Sequence, residues 1–227
     1  MYRLRVKNSG DFINVQNVYC IGKNYPEHIK EFENTDKFSA PGEPVVFLKP
    51  NSAVTCGDCE VTIPKLRGEK ISGNLQNEVE LVIVIGKNGR DIQPENAGDY
   101  ILGYAVGIDF TLRDIQMELK KKGLPWTLSK GFIGSAPVSE VVYKKETINP
   151  DSLKITLSVN NVVKQNDTTS SMLFNVSYLI HYISSIFGVQ EGDLIFSGTP
   201  AGVTKLNPGD FIDAEIESIG KLKIKIV

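Results

Sequence analysis

Two glutamates open the stretch Asn77 to Lys87, NEVELVIVIGK, and they are the residues of this chain best suited to metal chemistry. Leu81 to Ile85 is an unbroken aliphatic run of strand character bounded by Gly86. Alternate residues of a strand point to one face, so Glu78 and Glu80 project together, about 7 Å apart along the chain. A third acid, Asp109, closes the apolar stretch GYAVGIDF just before a helical segment. Acids at strand ends ordinarily face solvent, but three of them closing apolar strands invite convergence. Two unit charges about 4 Å apart repel by about 4 kcal/mol at an effective dielectric near 20, and a bound cation reverses the sign of that cost. All-oxygen ligation selects hard cations, Mg²⁺ first, with Mn²⁺ or Ca²⁺ as alternatives. Three protein ligands leave positions open for water and a chelating substrate.

His28 and Glu31, in YPEHIKEF, are three residues apart and share a face if that segment is helical. A carboxylate beside an imidazole orients it and raises its basicity, which suits a water-activating base. Lys130, in GLPWTLSKGF, lies in a segment too irregular for a regular helix, where a lysine can stabilise an oxyanion or enolate. His181 sits beside the apolar stripe of a longer helix and reads as a packing residue. With only two histidines, a multi-histidine metal site is excluded, so carboxylates must carry any metal chemistry. The chain has no G-x-S-x-G elbow, phosphate loop, G-x-G-x-x-G or H-E-x-x-H.

The elements that must position these groups are mostly short β-type runs: VVFLKP, LVIVIG, YAVGIDF, KITLSVNN, DLIFSG, FIDAEIE and KLKIKIV. Hairpins are expected at Asn160-Asn161 and near Gly220. Strands this frequent favour a rolled, antiparallel arrangement over a doubly wound sheet. Three helices interrupt them: Tyr25 to Phe32 with Pro26 in its first turn, Thr111 to Lys121 with Thr111 as cap, and Met172 to Phe187. In the last, Leu173, Val176, Leu179, Ile180, Ile183 and Phe187 mark a core-facing stripe.

The 227 residues carry a formal net charge of −2 and no linker-like composition break, which gives one domain over residues 1–227, the first 17 forming a short extension. Lys120 to Lys122 reads as a solvated helix end, and nothing resembles the charge footprint of a nucleic-acid binder. No apolar run approaches the roughly 20 residues of a spanning helix. Cys20, Cys56 and Cys59 are odd in number and the N-terminus lacks a signal-peptide pattern, so a reducing cytoplasm is expected. Cys56-Gly57-Asp58-Cys59 reads as a turn with a structural role, since a zinc site needs a second ligand pair.

Six stretches, YCIGKNYPEHIKE, PVVFLKPNSAV, NEVELVIVIGK, GYAVGIDFTLRDIQ, KKKGLPWTLSKGF and SGTPAGV, occur in the order and at about the spacing typical of the fumarylacetoacetate hydrolase family. From about Val18 onward the chain resembles the small single-domain branch that includes acylpyruvate hydrolases and oxaloacetate decarboxylases. That resemblance implies an α+β fold built on a mixed β-roll, a homodimer, and Mg²⁺ or Mn²⁺ held by Glu78, Glu80 and Asp109. It places the water-activating pair on His28 and Glu31, in a segment that orders as a lid over ligand. It places the catalytic lysine on Lys130 and substrate contacts on Arg113, Gln116 and Thr199. Two positions depart from the family pattern: Asn77 stands where histidine is frequent, and Ala201 where lysine is frequent. The implied reaction is metal-dependent hydrolysis of a C–C bond in an acylpyruvate-type 2,4-diketo acid. Oxaloacetate decarboxylation, or isomerase and hydratase steps on dienoic diacids, are the alternatives. A non-catalytic keto-acid binder would need no base, and the presence of His28, Glu31 and Lys130 argues against it.

Overall fold

The computed structural model describes residues 2–31, 40–145 and 147–227. Its principal strands are β1 (Val18–Gly22), β2 (Val45–Lys49), β3 (Val54–Cys56), β4 (Cys59–Val61), β5 (Val79–Ile85), β6 (Ile101–Ile108), β7 (Ala136–Val138), β8 (Lys154–Val159), β9 (Val162–Thr168), β10 (Leu194–Phe196), β11 (Phe211–Ile216) and β12 (Gly220–Ile226). The helices are α1 (Pro26–Lys30), α2 (Arg113–Lys121), α3 (Thr127–Lys130) and α4 (Val176–Ile186). One curled sheet runs β2-β1-β10-β5-β6-β7-β3, and a second runs β9-β8-β11-β12-β4. The result is a sheet-dominated α+β roll with few helices and mixed strand directions, as the family resemblance implied, whereas the hairpin-rich pattern alone favoured an antiparallel one. The pairs β10/β1, β7/β3 and β12/β4 are parallel, because connections that cross between layers return strands in the same direction.

β5 is the central strand, paired with β6 on one side and β10 on the other. All seven of its residues are buried, which accounts for an unbroken apolar run where a one-sided strand would alternate. Val79, Leu81, Ile83 and Ile85 face the larger core, with Ile155, Leu157, Ile212 and Leu222 of the second sheet and Leu179, Ile180 and Ile183 of α4. Val82 and Val84 face a second cluster with Cys20, Leu194 and Phe196. Each such aliphatic side chain contributes about 1.5–3 kcal/mol by burial. Glu78 and Glu80 lie in phase with Val82, on that second face.

Both hairpins form. Asn160 and Asn161 have φ of 50° and 65°, the left-handed pair that a two-residue loop requires, and Ser218, at φ 62°, leads into Gly220. Between β8 and β9 the register passes from Leu157↔Gln165 to Ser158↔Val163, leaving Lys164 as the extra residue of a bulge. Cys56 to Cys59 is a turn, with Gly57 at φ 75°, that carries the chain from the first sheet to the second.

The helices differ from expectation at their ends. Residues 111–112 are a short strand paired with residues 75–76, so α2 starts at Arg113, and Thr111 donates to the Asp109 carbonyl instead of capping. Lys130 ends a single helical turn, α3, where an irregular segment was expected. α4 begins at Val176, capped by the Asn175 side chain, which accepts from the Tyr178 N–H. Leu173 precedes it and Phe187 caps its end; both are exposed, so the buried stripe is Val176, Leu179, Ile180 and Ile183. α1 ends at Lys30, and Phe32 lies outside the described residues. His181 packs as expected, its Nδ1 2.8 Å from the Ile92 carbonyl. Among the described residues no helix is long and apolar enough to cross a membrane.

Candidate active site

The strand pairing that buries β5 also brings three acids together. The Asp109 N–H donates to the Glu78 carbonyl at 2.8 Å, extending the β5/β6 ladder one residue past its regular end. One carboxylate oxygen from each of Glu78, Glu80 and Asp109 then lies within 4.8 Å of the others. The three are 4 %, 2 % and 1 % exposed, which rules out the solvent-facing alternative.

Buried negative charge at this density needs compensation, and three cations supply it. Lys130 Nζ donates to Glu78 Oε2 and Asp109 Oδ2, both at 2.6 Å. Arg113 donates through Nη2 to Glu78 Oε1, through Nε to Gln76 at 2.7 Å and through Nη1 to Gln116 at 2.6 Å. Lys49, wholly buried, places Nζ 2.8 Å from Asp109 Oδ1. It also donates to the Lys130 carbonyl and to the carbonyl and hydroxyl of Ser135. Glu80 accepts the Gly198 N–H at 2.7 Å. Burial, reinforced by Asp109 and Glu78, pushes the Glu80 carboxyl well above its ordinary range. Burial acts on Glu78 as well, but the Lys130 and Arg113 cations outweigh it and hold that carboxyl below the ordinary range.

The donor set fits a divalent cation. Every donor is a hard carboxylate oxygen, and Asp109 Oδ1, though buried and beside Lys49, has no aligned hydrogen bond. A cation there would offset the burial, and the repulsion from Asp109 and Glu78, that raise Glu80.

One cavity gathers the other residues singled out in the sequence. Its lining includes His28, Glu78, Glu80, Asp109, Arg113, Gln116, Lys130 and Thr199. His28 Nδ1 is 2.9 Å from Glu31 Oε2, and Glu31 Oε1 accepts the Gly202 N–H at 2.7 Å, so the pair is docked on the loop after β10. Gly202 permits this contact: its φ is 102°, and a Cβ there would meet the Lys164 carbonyl at 1.8 Å. The Thr199 hydroxyl donates to the Val79 carbonyl and accepts from Gln165 Nε2, both at 2.8 Å.

Several participants escape sequence reasoning. Gln165, wholly buried on β9, accepts from Asn77 Nδ2 and the Val79 N–H and donates to Thr199 and the Pro200 carbonyl. Asn77 in turn accepts the Thr204 N–H at 3.3 Å, which gives that departure a buried structural role behind the acids. Lys49 could have been found from strand alternation, since it shares the phase of Val45 and Phe47. The Lys120 to Lys122 run is only in part a solvated helix end. Lys121 and Lys122 are exposed beside Glu118, whereas Lys120 is half-buried and lines the cavity.

Known proteins resemble this chain over most of its length. Residues 17–227 match the family model for the fumarylacetoacetate (FAA) hydrolase C-terminal region. The mitochondrial oxaloacetate tautomerase FAHD1 of Bos taurus is 42% identical over 211 residues, covering 93% of this chain and 91% of that protein. Its Arabidopsis thaliana counterpart is 40% identical over 209 residues, covering 92% and 90%. The crystal structure of fumarylpyruvate hydrolase from Pseudomonas aeruginosa, in complex with Mn²⁺ and pyruvate, superposes with a TM-score of 0.90 at 32% identity, covering 100% of this chain and 95% of that one. The chain belongs to the fumarylacetoacetate hydrolase family.

Proposed function

We propose that this chain is a divalent-metal-dependent enzyme of 2-oxo acids, and that its reaction is keto–enol interconversion of an oxaloacetate-class substrate. The observation that carries the reading is the buried Glu78, Glu80 and Asp109 cluster in one cavity with the His28–Glu31 pair. The oxaloacetate tautomerases at 40–42% identity support the substrate class, and the neighbour holding Mn²⁺ and pyruvate supports the metal.

A cation held by Glu78, Glu80 and Asp109, Mg²⁺ or Mn²⁺, supplies Lewis acidity that makes the protons beside the keto group easier to remove. Arg113 and Gln116 hold the carboxylate end of the substrate. Glu31 beside Nδ1 favours the tautomer in which His28 Nε2 carries the lone pair, so Nε2 takes the proton from the methylene carbon. The Lys130 ammonium gives a proton to the keto oxygen and is the donor for the enol form. Run backwards, the same two groups return the enol to the ketone. The working unit in this reading is a homodimer, and a 25.0 kDa species in sedimentation at micromolar concentration would exclude that part.

The test is decay of the enol absorbance of oxaloacetate with Mn²⁺, and with the metal chelated. His28→Ala should lose about 10²- to 10⁴-fold in rate while Mn²⁺ affinity stays unchanged. Activity that survives complete metal removal sinks the proposal. A second reading, hydrolysis of a 2,4-diketo acid, is favoured by the same pair if Nε2 activates water instead. Rapid release of acetate and pyruvate from acetylpyruvate, with oxaloacetate interconversion at background, would select it.

A further inference from the structure

We infer that Asn24 is a positioning residue for the reaction: it fixes the first turn of α1 to the loop that serves Glu80, and so sets where His28 stands relative to the acids. The inference rests on the reading of His28 as the base and adds what holds that base in place.

α1 cannot set its own direction. It has five residues and no side-chain cap at its first turn, far short of the roughly 12–15 residues a helix needs to persist by itself. Tyr25 and Ile29 anchor it by burial, but apolar burial is non-directional. Its orientation therefore depends on the polar contacts at its two ends, and both fall on one loop. At the far end Glu31 accepts the Gly202 N–H. At the near end Asn24 Nδ2 donates to the Ser197 carbonyl at 2.7 Å.

The near end is the more heavily built. β1 and β10 are parallel neighbours, so the residues that follow them emerge side by side. Asn24 is buried, and its Nδ2 also donates to the Phe174 carbonyl at 3.0 Å while Oδ1 accepts the Phe174 N–H at 2.8 Å. Its own carbonyl accepts the Leu173 N–H at 2.8 Å. Both amide hydrogens and the amide oxygen are thus committed, and they join segments 150 and 173 residues away in sequence. Gly198, at φ 96°, makes room for the contact, since a Cβ there would meet Asn24 Cβ at 2.7 Å. The Gly198 N–H is the one that Glu80 accepts, and Thr199 beside it holds the Val79 carbonyl. Asn24 therefore ties the base and the acids to a single frame.

Without the amide, the near end of α1 can shift while Glu31 still holds the far end, and a displacement of about 1 Å at a reacting group can cost about 10²-fold in rate. With Mn²⁺ bound, Asn24→Ala should lower kcat for enol decay by about 10- to 100-fold. Affinity for oxalate, which chelates a cation as a 2-oxo acid does, should stay within about threefold. The chain holds two histidines, so ring ¹H–¹⁵N spectra of Mg²⁺-loaded protein give each its own signals. The variant should move those of His28, whose side chain is 11% exposed, toward the values of a solvated histidine and leave those of His181 in place. If alanine prevents folding, Asn24→Ser, with one hydroxyl in the same space, carries both measurements. An unchanged kcat, a kcat that falls no further than oxalate affinity, His28 signals that stay put, or shifts in both histidines alike would each overturn the inference. Failure of the proposed reaction would look different: the parent would not catalyse enol decay, while Asn24→Ala still moved His28 and spared His181.

Discussion

Replacing Lys49 with methionine should destabilise the metal-free protein by about 3–5 kcal/mol, the usual consequence of removing one partner from a buried charge pair. The side chain is wholly buried, its ammonium is 2.8 Å from Asp109 Oδ1, and it holds the α3 turn through the Lys130 carbonyl. Methionine preserves the length of the stem, so the loss isolates charge and hydrogen bonding from packing. Asp109 Oδ1 would then be left buried without the cation beside it. For a chain of this size each kcal/mol lowers the melting temperature by about 2–4 °C, so a fall of roughly 6–20 °C is expected. Saturating Mn²⁺ should narrow the difference, since a cation among the same acids contributes more to the variant than to the parent. The assay is chemical denaturation of both proteins with chelator and with Mn²⁺. A loss below about 1 kcal/mol without metal, or the same loss in both conditions, would refute the charge argument.

Glu80→Gln should weaken Mn²⁺ binding by about 100-fold or more, measured by calorimetry, because it removes one of three anionic donors. The same residue sets a pH dependence. Its carboxyl is raised above the ordinary value of 4.5 in the folded protein, so the native state binds more protons than the unfolded one. Metal-free protein should accordingly lose stability as pH rises from about that value through the folded pKa, and Glu80→Gln should flatten the profile; a parent melting temperature that climbs over that range contradicts it. Glu78, shifted the other way, acts only as pH falls below the ordinary carboxylate range. Gln165→Leu strips partners from Asn77, Val79, Thr199 and Pro200 and should cost about 3 kcal/mol in urea denaturation, whereas an unchanged midpoint would show that this network is replaceable by water.

Glu78, Glu80 and Asp109 were legible in the sequence because each ends a strongly apolar strand, where period and burial pattern speak for themselves. The contact between His28 and Glu31 was legible from helical spacing, but spacing alone does not separate such a pair from surface decoration. The cations were harder. A lysine has the same appearance in sequence whether it points into a cavity or into water, and Lys120 shares a run with two solvated neighbours. Gln165 is invisible for a different reason: its partners are 34 to 88 residues away, and nothing local to KQND marks it. Hairpin turns advertise only antiparallel neighbours, so the mixed strand directions were legible through the family resemblance and not through the turns. Thr111 was mistaken for a cap since threonine suits both a cap and a strand, and the pairing with Gln76 decided between them.

The bulge at Lys164 separates two halves of the β8–β9 hairpin that would otherwise move as one. In an unbroken ladder, an inserted or deleted residue at the Asn160-Asn161 tip would shift every partner by one and turn Gln165 away from Thr199. A residue that stands outside the ladder can absorb such a slip. A change of one residue at the tip need not therefore reach Gln165, because the Leu157↔Gln165 register, and the loop that Gln165 holds against the acids, lie beyond the bulge.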